Sequence, residues 1–441
     1  MSLQVKPSRG LEGRVAVPGD KSISHRAAIL GALGEGITRI DGFLESEDCL
    51  ATLRCLSLLG VPIHRLSPGC YTIVGQGSKG FQEPMDVLDC GNSGTTMRLL
   101  AGALSMQPIF SILTGDASLR NRPMARIIEP LRSMGGQIYS RKNNTRAPLA
   151  IIGNQNLEGK THVLPIASAQ VKSAILLAGL GARGATVVRE PARSRNHTEV
   201  MLQQLGVPVK VDGLSVTIEG GTIPRGGHII IPGDISSAAY LLVAGAILPD
   251  SDLTITNVGV NPTRAGIISV LQKMGADLSI KPEEGDGEKR ATIRVRSSHL
   301  KGTEIGGEII PTLIDELPVI AVAAAYAQGM TRVKDAAELR VKECDRIAVV
   351  AKELAKLGVD IEAQADGWII QGGQHLRGGV VSGHNDHRVV MALAILGLGS
   401  SEPLQITGAQ CLEVSFPGFA GTFQQLGAEM EETAKDPESM E

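Results

Sequence analysis

Apolar positions recur along this chain in two patterns. In the first, a polar turn marked by Gly or Pro opens an Ala/Leu-rich run with almost no polar face. A short turn and a β-branched run follow. This pattern occurs six times: VPGDKSISHRAAILGALGEGITRI from Val17, DCGNSGTTMRLLAGALSMQPIFSI from Asp89, PIASAQVKSAILLAGLGARGATVV from Pro165, IPGDISSAAYLLVAGAILPDSDLTI from Ile231, IPTLIDELPVIAVAAAYAQGMTRV from Ile310 and GHNDHRVVMALAILGLGSSEPLQI from Gly383. Each copy predicts a buried helix followed by a strand. In the second pattern an amphipathic helix ends on glycine: LLGVPIH, SMGGQIY, QLGVPVK, KMGADLS, KLGVDIE and QLGAEME, with Gly60, Gly135, Gly206, Gly275, Gly358 and Gly427 at the stop. Glycine just past a helix end supplies the left-handed conformation that terminates it. A strand is expected after the first five of these stops.

The two patterns alternate, so the chain reads as six units, three in each half. The opening copy at Val17 returns at Ile231, an offset of 231 − 17 = 214 residues, about half the chain. A hinge is expected near Gly226-Gly227, and the first dozen or so residues could pair with either half. If the polar starts of the six apolar helices point one way, they converge on a cleft between the halves.

PGDKSISHR, Pro18 to Arg26, carries the densest chemistry. Pro-Gly-Asp is a turn plus a capping residue, so a helix starts near Asp20 or Lys21. Its free N–H groups, with Lys21, Ser22, Ser24 and Arg26 around them, make an anion site. The copy PGDISSAAY has Ile235 where Lys21 stands. The scaffold folds without the lysine there, which favours a functional role for Lys21 in the first copy.

Other cations cluster at or just after the repeat starts: Arg98, Arg120 and Arg122; Lys172 and Arg195; Arg340, Lys342 and Arg346; and Arg388. Any one of them alone reads as a surface ion pair. Several facing one cleft would demand anionic ligands, and phosphate and carboxylate fit the guanidinium fork. Asp315, Glu343 and Asp345 are the acidic candidates in these neighbourhoods. A carboxylate among cations stays ionised and can take a proton from a hydroxyl. Asp315 also stands where an N-cap would precede the AVAAAYA run. His387 is either a proton shuttle or a structural residue at a helix start.

Composition narrows the class. The chain has 441 residues, 43% hydrophobic and 20% charged, with net charge −3, which describes a multidomain globular protein with no global attraction to nucleic acid or membrane. Aromatics at 2% argue against base stacking. No apolar run reaches the length of a membrane span, and the N-terminus lacks a signal-peptide pattern. The six cysteines form no CxxC pair, so reduced thiols and no metal site are expected in a cytoplasmic protein. KDPESME reads as a frayed acidic tail. GQGSKG (Gly75 to Gly80) has the dinucleotide spacing but no helix pattern after it, and GDKS lacks the earlier glycines of a P-loop.

Taken together, PGDKSISHR, GNSGTTMR, RNRPM, SAQVKSA, IDELPV, RVKECDR, NDHRVVMA and SFPGF resemble the 5-enolpyruvylshikimate-3-phosphate synthase family over essentially the whole chain. The resemblance implies an α/β protein of the α+β type. Its two-domain inverse α/β barrel would hold six βαβαββ-like repeats, three per domain, with buried helix N-termini facing the interdomain cleft. The domains would be 14–228 for the first, and 1–13 with 229–441 for the second. The implied reaction moves the enolpyruvyl group of phosphoenolpyruvate to the 5-hydroxyl of shikimate 3-phosphate and releases phosphate, through a tetrahedral intermediate. By motif, Lys21, Ser22, Arg26, Ser168, Gln170, Arg195, Asp315 and Lys342 would bind shikimate 3-phosphate. Lys21, Gly94, Arg122, Gln170, Arg346 and Arg388 would bind phosphoenolpyruvate, with Thr95 lining that site. Lys21, Asp315 and Glu343 would be catalytic. No cofactor or metal is implied, and the protein would act as a cytoplasmic monomer on two small-molecule substrates, with no nucleic-acid or membrane partner.

Two departures locate the chain within that family. Ser168-Ala169-Gln170 stands where the first class has Ser-Ser-Gln, which resembles the second, often glyphosate-tolerant class. Glu413-Val414-Ser415 carries no lysine where first-class members do. The sister transferase acting on a UDP-N-acetylglucosamine acceptor carries a reactive Cys in the loop DASLRNR (Asp116 to Arg122), and this chain has none there. An RNA 3′-phosphate cyclase of related repeat fold would show basic and aromatic excess, which is absent.

Overall fold

The structure, a computed structural model, describes residues 1–433, and the KDPESME tail lies outside the described residues. The chain divides into two compact units. The first holds Gly19–Pro232 with Gly285–Glu288; the second holds Met1–Pro18, Gly233–Glu284 and the chain from Lys289 onward. The chain leaves the first unit at Pro232, beyond the expected Gly226-Gly227, because the strand His228–Ile230 pairs in parallel with Glu35–Asp41 and stays with that sheet.

The first unit contains the buried helices α1 (Lys21–Leu33), α3 (Gly94–Ser105) and α5 (Ala169–Gly179). They alternate with α2 (Glu47–Leu58), α4 (Ala125–Ser133) and α6 (His197–Gln204). The second unit repeats this with α7 (Ile235–Ile247), α9 (Leu317–Tyr326) and α11 (His387–Leu398), alternating with α8 (Gly266–Lys273), α10 (Arg346–Lys356) and α12 (Phe419–Gln424). Each unit has its own apolar core, built around its three odd-numbered helices. Those helices are Ala-, Leu- and Gly-rich because they are enclosed on all sides, and small residues let close neighbours pack.

The helix ends follow from local chemistry. Asp20, Ser93, Ser168, Asp234 and Asp386 cap α1, α3, α5, α7 and α11 through side-chain oxygens that accept from N–H groups of the first turn. α9 differs. Its N-cap is Glu316, with no side-chain cap bond, so Asp315 is not the N-cap that its position suggested. The six stop glycines all adopt positive φ, from 80° at Gly60 to 105° at Gly135.

Among the described residues, six four-stranded sheets accompany the helices, and all six share one pattern: one parallel pair, then two antiparallel pairs. A strand also follows the sixth stop, at Met430–Thr433, where none was expected. The open question about the first residues is answered by pairing. Ser2–Val5 lies between Leu404–Thr407 and Met430–Thr433, and Glu12–Ala16 runs parallel to the strand from Asp252. The segment SFPGF packs as a ring cluster: Phe419 lies edge-on to Tyr240 at 6.2 Å and to Phe416 at 5.3 Å. Among the described residues no helix is long and apolar enough to cross a membrane.

Candidate active site

In the first unit the starts of α1, α3 and α5 lie together. Lys21 pairs with Asp48, a partly buried ion pair at the first residue of α1. Ser22 stands beside it, and its carbonyl accepts from Arg26 Nη1 at 2.9 Å. The rest of the Arg26 guanidinium donates to Thr198 Oγ1 and Ser173 Oγ, each at 2.8 Å. Arg26 is buried, and burial pushes its pKa down to about 10, opposed by the charge of Glu199.

Gln170, in the first turn of α5, bridges to α3. It accepts from Arg98 Nη1 and donates to Thr95 Oγ1 at 3.0 Å. A Cβ on Gly94 would meet Arg98 Nη1 at 3.1 Å and Arg122 Nη1 at 3.4 Å, so this glycine leaves space directly beside two guanidinium groups. Arg122 Nη2 donates to Asn92 Oδ1 at 2.5 Å. Burial, then the neighbouring Arg126 and Arg122, lower Arg98 to about 9. These are the signs of a pocket with excess positive charge. Ser168 caps α5, and Arg195 lies just before α6, the helix that carries Thr198.

In the second unit the starts of α7, α9 and α11 meet around Asp315. Its carboxylate lies 3.6 Å from Arg264 Nη1, 3.6 Å from Arg346 Nη1, 3.8 Å from Arg388 Nη2 and 3.9 Å from Lys342 Nζ. Arg388 Nη1 also donates to the Asp315 carbonyl at 3.2 Å. Arg346 is fixed from the other side, with Nε 2.7 Å from Asp386 Oδ2 and Nη2 2.5 Å from Glu343 Oε2. Burial pushes Glu343 up, but Arg346 and Arg388 outweigh it and hold the carboxyl below its usual value. Burial would likewise lower Arg388, yet Asp315 and the nearby Tyr240, Glu316 and Asp234 raise it. His387 is buried at the first residue of α11.

Three candidate charges hold backbone instead. Arg120 donates to the Gly115 carbonyl, Arg340 to the carbonyls of Ala365 and Gln364, and Asp345 caps α10. All six cysteines are free, and no group of His, Cys, Asp and Glu that could hold a metal occurs among the described residues.

The family model described as EPSP synthase (3-phosphoshikimate 1-carboxyvinyltransferase) matches residues 5–423. The chain belongs to the EPSP synthase family. It is 52% identical over 430 residues to the 3-phosphoshikimate 1-carboxyvinyltransferase of Desulforudis audaxviator, covering 97% of this chain and 100% of that one. With the protein of the same name from Pelotomaculum thermopropionicum it shares 53% identity over 421 residues, 95% of this chain and 97% of that one. A solved EPSP synthase from Acinetobacter baumannii superposes with a TM-score of 0.92 at 44% identity, covering 98% of this chain and 99% of the other.

For an EPSP synthase family member, the residues expected from motif all stand at the converging helix starts or in the turns beside them. Gln170, Thr95, Gly94 and Arg122 form one group, Arg26 and Ser22 another, and Asp315, Lys342, Glu343, Arg346 and Arg388 a third. Sequence reasoning passed over Asp48, Arg264, Glu316 and Asp386. Arg264 reaches Asp234, Asp315 and Glu316 from the NPTRAG turn. That turn has no counterpart among the charged repeat starts, so nothing in the pattern marked it. Asp386 had a signal: it precedes α11 as Asp20 precedes α1.

Proposed function

We propose that the protein is a 3-phosphoshikimate 1-carboxyvinyltransferase. It joins C2 of phosphoenolpyruvate to the 5-oxygen of shikimate 3-phosphate and releases inorganic phosphate, a step toward aromatic amino acids. The observation that carries this reading is the Asp315 carboxylate surrounded by four cations at 3.6–3.9 Å. Four cations so close keep the carboxylate ionised, the form that can take a proton from a hydroxyl.

The roles divide as follows. Lys21, Ser22, Arg26, Ser168, Gln170, Arg195, Asp315 and Lys342 bind shikimate 3-phosphate. Lys21, Gly94, Arg122, Gln170, Arg346 and Arg388 bind phosphoenolpyruvate, whose phosphate and carboxylate match guanidinium forks. Asp315 takes the proton of the 5-hydroxyl as its oxygen adds to C2. Glu343, with Lys21, serves the proton added to C3. The tetrahedral intermediate then loses the C3 proton, and the bond from C2 to the phosphate oxygen breaks. Most of the acceleration comes from positioning anions and stabilising developing charge. The protein works as a cytoplasmic monomer without a cofactor.

Mixing the purified protein with both substrates should release one phosphate per enolpyruvyl group transferred. No phosphate release would refute the reading.

A further inference from the structure

Lys172 is a deeply buried cation that the substrate assignments leave unused. It lies in the first turn of α5, just past Ser168 and Gln170, and its side chain is 2% exposed. Its ammonium is 2.7 Å from Glu190 Oε2 and 2.7 Å from Glu199 Oε1. Glu190 follows the strand Ala185–Arg189, and Glu199 sits in the first turn of α6. The second oxygens of both carboxylates, Glu190 Oε1 and Glu199 Oε2, are buried with no hydrogen-bond partner. Two carboxylates thus face one ammonium, leaving a surplus negative charge in the interior.

The complement stands next door. The Arg26 guanidinium is 4% exposed, and the bonds it donates go to neutral oxygens: the hydroxyls of Ser173 and Thr198 and the Ser22 carbonyl. Ser173 follows Lys172 and Thr198 precedes Glu199 in sequence, and their hydroxyls are 2.7 Å apart. The same two helix turns therefore hold the charge cluster on one side and Arg26 on the other. With Arg26 included, two buried cations balance two buried carboxylates, so Arg26 can remain charged without a carboxylate in contact. The charge of Glu199 acts on Arg26 in that direction.

We propose that Lys172, with Glu190 and Glu199, is a positioning centre for shikimate 3-phosphate: it ties the start of α6 to the first turn of α5, fixing Arg26, Ser168 and Arg195 against one another. This rests on the assignment of those three residues to shikimate 3-phosphate made above. None of the three members touches the reacting atoms, so their effect falls on binding of one substrate. The unpartnered carboxylate oxygens make the cluster sensitive to loss of its ammonium, because two like charges would then remain buried together.

The test compares Lys172→Met, Lys172→Arg, Glu199→Gln and Arg195→Ala in the full chain, varying each substrate with the other saturating. Lys172→Met should raise KM for shikimate 3-phosphate about tenfold or more, with KM for phosphoenolpyruvate and kcat within about threefold. Lys172→Arg should recover most of that loss. Glu199→Gln keeps the Lys172–Glu190 bond, so it should fold, and should shift the same KM by a smaller factor. If Lys172→Met yields no folded enzyme, Glu199→Gln decides by the same readout. A lowered thermal midpoint with unchanged KM for shikimate 3-phosphate would overturn the proposal, and so would an equal rise in both KM values. Arg195→Ala separates the two levels. If it raises the KM for shikimate 3-phosphate and the cluster variants do not, only the positioning role falls; if it leaves that KM unchanged, the substrate assignment falls as well.

Discussion

Asp315→Ala should separate chemistry from stability. Four cations surround the carboxylate at 3.6–3.9 Å, and its side chain keeps 14% exposure. At such distances a unit pair is worth about 4 kcal/mol before screening, with an effective dielectric near 20. Arg264 and Arg388 also face Glu316, Lys342 faces Glu338, and Arg346 faces Glu343 and Asp386, so deleting Asp315 leaves none of them without a carboxylate nearby. The net loss of folding stability should therefore be about 1–2 kcal/mol. Turnover should fall far more, by about 10²- to 10⁴-fold, the usual contribution of a positioned base, which is about 3–5 kcal/mol of activation energy. Asp386→Ala is the control with the opposite balance. Asp386 is fully buried, accepts from Arg346 at 2.7 and 3.2 Å and caps α11. Its loss leaves the buried Arg346 Nε without its acceptor, although Glu343 still holds Nη2, and should cost about 3 kcal/mol, plus about 1 kcal/mol for the cap. Phosphate-release kinetics and urea unfolding on both variants give the comparison. Turnover of Asp315→Ala within threefold of the parent, or a larger stability loss than Asp386→Ala, would remove Asp315 from the mechanism.

Arg122→Ala should weaken phosphoenolpyruvate binding by roughly 2–3 kcal/mol, about 30- to 150-fold, since it deletes a charge-assisted clamp; unchanged affinity by calorimetry would contradict its assignment. Gly94→Ala should raise KM for phosphoenolpyruvate about fivefold or more, because its Cβ meets two guanidinium nitrogens at 3.1 and 3.4 Å and displaces them from their aim; an unaltered KM would place the substrate elsewhere. His25 should make the fold acid-sensitive. Burial, with smaller pushes from Lys21 and Arg26, lowers it from 6.5 to about 3, and its Nε2 has no partner to bond once protonated. The unfolded chain holds the extra proton between those values, so this contribution is present above about pH 6.5 and fades by up to about 1.4 kcal/mol per pH unit as pH falls toward 3. A His25→Gln variant should flatten that part of the stability profile, and an identical slope in both proteins would disprove the linkage.

The repeat grammar was legible because it rests on local physics. Ala/Leu runs without a polar face can only be buried helices, and glycine after an amphipathic helix stops it by backbone geometry. Both rules located elements in all six copies. What stayed hidden depends on tertiary placement. Nothing near Arg264 in sequence announces that its guanidinium reaches Asp315, because the NPTRAG turn meets α9 only through the fold. Arg120 and Arg340 looked equivalent to Arg122 and Lys342 by spacing. Their guanidinium groups instead turn back onto carbonyls of their own repeat, a difference set by the short turns at Leu119–Asn121 and Ala337–Val341. The sixth strand was missed because Met430–Thr433 reads MEET, acidic rather than β-branched, and forms because Ser2–Val5 offers a free edge.

The duplicated scaffold also explains how the two units came to hold different chemistry. Asp20 and Asp234 both cap their helices, α1 through the Ile23 N–H and α7 through the Ser236 N–H, and at the same offset Arg26 corresponds to Tyr240. Arg26 is buried among hydroxyls, whereas Tyr240 is buried against Phe419. The helix start is thus a site that the fold supports with or without charge. In the first unit these starts carry Lys21, Arg26, Arg98 and Arg122, with Asp48 as the carboxylate paired to Lys21. In the second the starts and the turns beside them, NPTRAG included, carry Arg264, Lys342, Arg346 and Arg388 interleaved with Asp315, Glu316, Glu343 and Asp386. Excess positive charge is suited to holding polyanionic substrates, and it would trap a proton poorly. An interleaved cluster can ionise a carboxylate, present it to a hydroxyl and absorb the charge change without rearranging. On the roles proposed above, the base Asp315 and its partner Glu343 lie in the second unit and Lys21 in the first, so deleting either carboxylate should act on kcat, while deleting Arg26 or Arg122 in the first unit should act on KM.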